Sequence, residues 1–213
     1  MNSTKEHLDT LHEIRNLMEK SSRFISLSGL SGVFAGIYAL AGAAAAYYYL
    51  NLNIFEPSYY EYLYKEGNVN ADFVQFFLAD ALAVLCAALA TGIFLTTRQA
   101  KKQGLPIWNN TSRRLLISMA IPLVAGGLFC LALLYQHLFV MIAPATLIFY
   151  GLALINGSKY TLRDVHYLGL CELGLGIAGS FLLGYGLLIW ALGFGILHII
   201  YGAVMYYKYE RES

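Results

Sequence analysis

The sequence predicts an all-α fold: a polytopic integral membrane protein, built as a six-transmembrane-helix bundle with an N-terminal amphipathic helix on the cytoplasmic side. Three observations predict it. The apolar residue types make up 58% of 213 residues, glycine contributes 20 more, and charged residues are 13%. Soluble chains hold about 45–50% apolar residues with glycine counted and about 25% charged residues, so this chain has too few charges to cover a surface in water. Long runs carry no charge, and the cations fall on alternate loops. The same numbers set aside intrinsic disorder, a nucleic-acid binder (the net charge is only +1) and a disulfide-stapled secreted domain (three cysteines).

A helix spans about 30 Å of hydrocarbon with about 20 apolar residues. Residues 24–50, 115–136 and 138–156 are uncharged, and 73–97 carry only Asp80. Residues 167–207 hold Glu172 and His198 as their only acid and histidine. That stretch is ~60 Å long as one helix, twice the hydrocarbon thickness, so it reads as two helices turning between Gly184 and Gly193. The expected spans are about 24–50, 71–97, 114–136, 138–156, 166–185 and 188–207. They form one domain, 24–207, flanked by a cytoplasmic helix in 1–23 and a cytoplasmic tail in 208–213.

Thirteen of the fourteen lysines and arginines lie before the first span, between spans two and three, between four and five, or after the last; Lys65 is the exception. Cations accumulate on the cytoplasmic side, so an even count with both termini cytoplasmic is expected. The small size and lack of eukaryotic sorting signals point to a bacterial inner membrane. The first apolar run is too long, and begins too late, for a secretory signal peptide.

Residues 4–22 place Leu8, Leu11, Ile14 and Met18 at helical spacing among charges, which predicts an amphipathic helix on the membrane surface or docked to a partner. The outer loop, residues 51–70, has Pro57 where a helix begins and an aromatic run, Tyr59, Tyr60, Tyr62 and Tyr64, suited to the headgroup level. Small residues recur every four positions at Ser28, Gly32 and Gly36, and again at Gly176, Ser180 and Gly184. Such faces let backbones approach closely, within the chain or in a homo-oligomer. The expected partners are the lipid bilayer and a second copy, with no nucleic acid.

Ionisable groups in hydrocarbon are functional candidates because burying a charge there costs about 2.5–3.5 kcal/mol or more. By helical rise, Asp80 lies ~13 Å below the outer boundary, while His198 lies ~13 Å and Glu172 ~9 Å above the inner one. Glu172 and His198 sit on consecutive spans at similar depth, which predicts a hydrogen-bonded pair. They form the expected ligand or proton site, which Asp80 joins only if the second span packs against that hairpin. Pro122 and Pro144 each delete a helix hydrogen bond. They are expected to kink neighbouring spans or to open a cavity or hinge lined by Ser118, Thr146, Asn156 and Gln136.

No metal-ligand spacing, thiol-redox motif or nucleotide-binding loop is present, and no cofactor is expected. Gly29-Leu30-Ser31-Gly32 matches the G-x-S-G string of rhomboid proteases. Here, however, the serine lies on the first span rather than a middle one, and no catalytic site is read from it. The expected function is therefore a small transporter, channel or binding protein for an ion or small apolar ligand. The alternatives are a non-catalytic assembly or regulatory subunit, and a membrane-embedded enzyme acting on lipid.

Overall fold

The computed structural model describes residues 27–50, 64–65 and 68–211. The expected amphipathic helix in 1–23 and most of the outer loop lie outside those residues. Helix α1 is Gly29–Leu50, α2 is Ala71–Lys102, α3 is Asn110–Tyr135, α4 is Ile142–Gly157 and α5 is Asp164–Phe181. The last rod, α6, runs from Leu183 to Glu210. Before α2, Tyr64–Lys65 pairs with Asn68–Val69 in a two-residue antiparallel ladder. Five of the six rods are long and apolar enough to cross a membrane; α5, the other, carries Asp164, His166 and Glu172 in 18 residues.

Local chemistry sets the helix ends. Asn70 accepts from the Phe73 N–H at the start of α2, with Asp72 in the first turn and Lys101 and Lys102 in the last, the polarity a helix dipole favours. Asn109 and Ser112 cap α3 reciprocally, each side chain accepting from the other's backbone N–H. Between α5 and α6 the chain turns at Leu182, whose N–H reaches the carbonyls of Ala178 and Gly179. The turn therefore lies just before Gly184, and Gly193, expected to bound it, lies inside α6.

The helices pack in the order α2, α1, α6, then the α4–α5 pair, with α3 on the far side of α4. Two seams are backbone-close. A Cβ on Gly151 would stand 2.6 Å from the Leu173 nitrogen and 2.7 Å from the Gly169 oxygen, and one on Gly176 would stand 2.8 Å from the Ile148 nitrogen, so α4 and α5 touch through their main chains. Likewise Gly29, Gly32 and Gly36 of α1 abut Gly195, Gly202 and Tyr206 of α6. Small residues at such seams let backbones come into direct contact. The glycines at 32, 36 and 176, expected to let backbones approach closely, do so within the chain.

The outer rods are apolar where they face away from the bundle. On α2 only Phe73, Gln99 and Ala100 are buried. Ile93 is 68% exposed and Leu128 on α3 is 63% exposed, among many similar residues. Exposed apolar residues in such number mark faces that lipid or a partner would cover.

The seams generate a test. Gly151→Ala should lower the stability of the detergent-solubilised protein by about 1–3 kcal/mol through overpacking. Gly127→Ala, where a Cβ meets nothing within 4 Å, should change it by no more than about 0.5 kcal/mol. Thermal melting followed by circular dichroism checks both, and equal effects would contradict the seam.

Candidate functional site

The α4–α5–α6 core buries an acid. Glu172 on α5 is fully buried (0% exposed), and His198 on α6 is 6% exposed. His198 Nδ1 lies 3.2 Å from Glu172 Oε1. It also lies 3.0 Å from the carbonyl oxygen of Gly193. A carbonyl only accepts, so Nδ1 carries the hydrogen and aims it at Gly193. Glu172 Oε1 stands beside that N–H rather than in line with it, and neither carboxylate oxygen receives a hydrogen bond. The expected pair is therefore in contact, but the expected hydrogen bond goes to the backbone instead.

The sequence permits this arrangement at Gly193. A Cβ there would fall 2.5 Å from Glu172 Oε2 and 2.5 Å from a Leu147 methyl. Gly193 lies within Ala191–Leu197, a π-helical stretch of α6. Wider turns of this kind recur at functional sites. Here the turn lets a side chain reach the carbonyl five residues back.

The third member is Tyr150 on α4, whose hydroxyl lies 2.9 Å from His198 Nε2. The ring is tilted against Phe194, 5.1 Å away, and Trp190 packs on Phe194 at 5.2 Å. Tyrosine is ordinarily read as an interfacial anchor, and sequence reasoning missed this one. The signal was depth: Tyr150 is six residues inside Asn156, ~9 Å, the same depth as Glu172. Side chains from α4 and α5 thus converge on one imidazole of α6.

Asp80 does not join them. It is half-buried on α2 against Gly42 of α1, where a Cβ would lie 3.0 Å from its Oδ2. It has no hydrogen bond to another described residue, and α2 packs on α1 rather than on the α5–α6 hairpin.

Of the proline-linked residues, Ser118 and Asn156 form a lock between α3 and α4. Pro122 lacks the N–H that would bond the Ser118 carbonyl. Asn156 Nδ2 of α4 donates to that carbonyl at 2.8 Å, and Ser118 Oγ donates to the Asn156 carbonyl at 3.1 Å. The group freed by the proline is thereby satisfied across the α3–α4 seam. Pro144 is the third residue of α4. Its missing N–H belongs to the first turn, where none has a partner within the helix, so it neither kinks the span nor frees a carbonyl. Thr146 Oγ1 donates to the Ala143 carbonyl in the same turn. Gln136 is the C-cap of α3.

At the end of the bundle that carries most of the cations, here the basic end, α6 clasps two helices. Glu210 accepts from the Gly29 N–H and, at 3.3 Å, from Ser28 Oγ, placing a carboxylate at the N-terminus of α1. Asp164 at the start of α5 accepts from Lys208 Nζ at 3.0 Å and from the Tyr209 hydroxyl at 2.7 Å. Burial opposes the Asp164 charge, but the Tyr209 and Lys208 hydrogen bonds and the Lys208 charge outweigh it and hold the carboxyl below its ordinary range. Among the described residues, no three histidine, cysteine, aspartate or glutamate side chains converge to hold a metal ion.

Comparison of the chain with protein-family models, with curated proteins and with solved structures finds no match.

Two outcomes follow from these contacts. Asn156→Ala should cost about 1 kcal/mol by orphaning the Ser118 carbonyl. Adding Pro122→Ala, which returns an N–H to that carbonyl, should recover most of the loss; a double variant no more stable than Asn156→Ala contradicts the lock. Because the folded Asp164 carboxyl titrates below its unfolded value, the clasp contributes fully above a pH of about 4 and is lost as pH falls through the lower, folded value. Asp164→Asn should flatten that acid-side fall in the melting temperature; a fall parallel to the parent's contradicts the assignment.

Proposed function

We propose that the chain crosses a cell membrane six times with both ends in the cytoplasm. We further propose that it is a small transport or binding protein whose ion is a proton held at Glu172 and His198. The exposed apolar flanks of α2 and α3 and the one-sided distribution of lysine and arginine support the membrane placement. One observation carries the functional reading: a carboxylate with no exposure and no hydrogen bond, 3.2 Å from an imidazole nitrogen.

An isolated carboxylate is expensive in such surroundings, and buried polar atoms without partners in a native fold call for a reason. A proton supplies it. With one proton on the carboxyl the site is neutral; with that proton on the imidazole it becomes an ion pair. Either state needs the contact, and neither needs water. Gain or loss of the proton changes the charge between α4, α5 and α6, and so the force that holds Gly193 against the carboxylate.

Infrared spectroscopy of the protein in lipid bilayers tests this. A protonated-carboxyl band should change with pH and disappear in Glu172→Gln. A carboxyl spectrum indifferent to Glu172→Gln, or a Glu172 band that does not change with pH, would overturn the reading.

A further inference from the structure

We propose that the cleft between α2 and α3, at the end of the bundle opposite the basic end, is a site for a zwitterionic phospholipid. His137 and Gln75 would hold its phosphate, and an acyl chain would lie along α2. The proposal rests on the membrane placement above and not on the proton site.

The cleft measures about 520 Å³, within the roughly 300–1,000 Å³ of small-ligand sites. α2 packs chiefly on α1, and α3 on α4. At this end α2 also reaches the α3–α4 turn, where Phe73 and Phe77 pack with Phe139. The cleft opens beside that cluster. Val74, Leu78, Leu134 and Phe139 make its walls apolar, and Gln75 and His137 are the polar side chains that line it.

His137 departs from what its backbone favours. α3 ends in a Schellman turn: the Leu138 N–H reaches the Leu133 carbonyl at 2.8 Å, and the His137 N–H reaches that of Leu134 at 3.1 Å. The central residue of such a turn is left-handed, and glycine usually fills it. α2 ends in the same turn and uses glycine. Gly104 has φ 66°, with the Leu105 N–H on the Ala100 carbonyl at 3.0 Å. α3 places His137 there at φ 58°, and among the described residues no other non-glycine has a positive φ. The turn itself does not need an imidazole. A residue held in an unfavoured conformation at a cavity wall points to a use for its side chain. The ring centroid lies 5.8 Å from that of Phe139. Neither it nor the Gln75 amide hydrogen-bonds to another described residue.

Depth and chemistry identify the occupant. Ala71 begins α2 and Tyr135 ends α3, so in the proposed topology the cleft lies at the outer boundary of the hydrocarbon. An imidazole and an amide both donate hydrogen bonds, and a phosphate accepts them strongly because it is charged. Asp72, exposed three residues before Gln75 on the same helix, sets a carboxylate beside them. It favours a headgroup that carries a cation as well as the phosphate. Deeper in, Leu78, Leu82, Leu85 and Leu89 follow at four, three and four residues, on one face of α2, each about half exposed. That row runs ~16 Å toward the bilayer centre, the direction an acyl chain takes. A free anion would leave it uncovered.

Native mass spectrometry tests the site. The protein is reconstituted in vesicles of equal phosphatidylethanolamine and phosphatidylglycerol, then released into mild detergent. The parent monomer should retain phosphatidylethanolamine. His137→Gly suits the left-handed turn, so it should melt no lower than the parent. It should nevertheless lower retention by about tenfold, the scale of one lost hydrogen bond to a charged group. Leu78→Trp, which fills the cleft, should lower retention similarly. Gln136→Ala, at an exposed neighbour that does not line the cleft, should leave it unchanged. The proposal is overturned by a lipid-free parent, by parental retention in His137→Gly or a folded Leu78→Trp, or by equal loss in Gln136→Ala. Preference for phosphatidylglycerol, displacement of the lipid by inorganic phosphate, or a lipid-free dimer overturns it too. If Leu78→Trp does not fold, His137→Gly decides. Recovery of the parent chain in the soluble fraction would instead overturn the membrane placement.

Discussion

The arrangement of α4, α5 and α6 depends on one contact, the Glu172 carboxylate pressed between His198 and the bare Cα of Gly193. A carboxylate can sit in an apolar core only if something offsets the loss of water. Here the imidazole does so from one side and the absent side chain of residue 193 makes room on the other. The π-helical turn that carries Gly193 also turns the His198 N–H onto the Gly193 carbonyl, which fixes the ring. Tyr150 then fixes its far nitrogen. Each of three helices is thus tied to the same imidazole.

Around this centre the bundle is held by contacts that work without water. Backbone meets backbone at Gly151 with Gly169 and at Gly29 with Gly202. Helix ends are fastened by side chains from elsewhere in the fold: Glu210 on the first turn of α1, and Lys208 and Tyr209 on Asp164. The Ser118–Asn156 exchange repairs the break that Pro122 makes in α3. These devices act at different depths, so α6 is held at its basic end and at the buried acid, while α2, which packs chiefly on α1, leaves most of its length apolar and exposed.

Much of the architecture was legible in the sequence because apolar run length and charge placement are coarse, strong signals. The long helices appear near their expected positions, and Glu172 and His198 meet as the depth argument required. What sequence could not supply was direction. Helical rise gives the depth of Asp80 but not the face it presents, and it sits against Gly42 rather than among the other ionisable groups. Gly193 reads as a turn residue because glycine serves both turns and close approach, and only the partner across the seam distinguishes them. Pro144 reads as a mid-span kink until the start of α4 is known. Tyr150 was hidden by the preference of tyrosine for interfaces, although its depth already set it apart.

The central claim is that Glu172 and His198 touch in a dry interior. Solid-state NMR of the protein in bilayers, with the Glu172 carboxyl carbon and His198 Nδ1 isotopically labelled, measures it directly. A dipolar coupling matching the 3.2 Å approach of Oε1 to Nδ1 is the predicted result. A coupling too weak for contact would contradict the account.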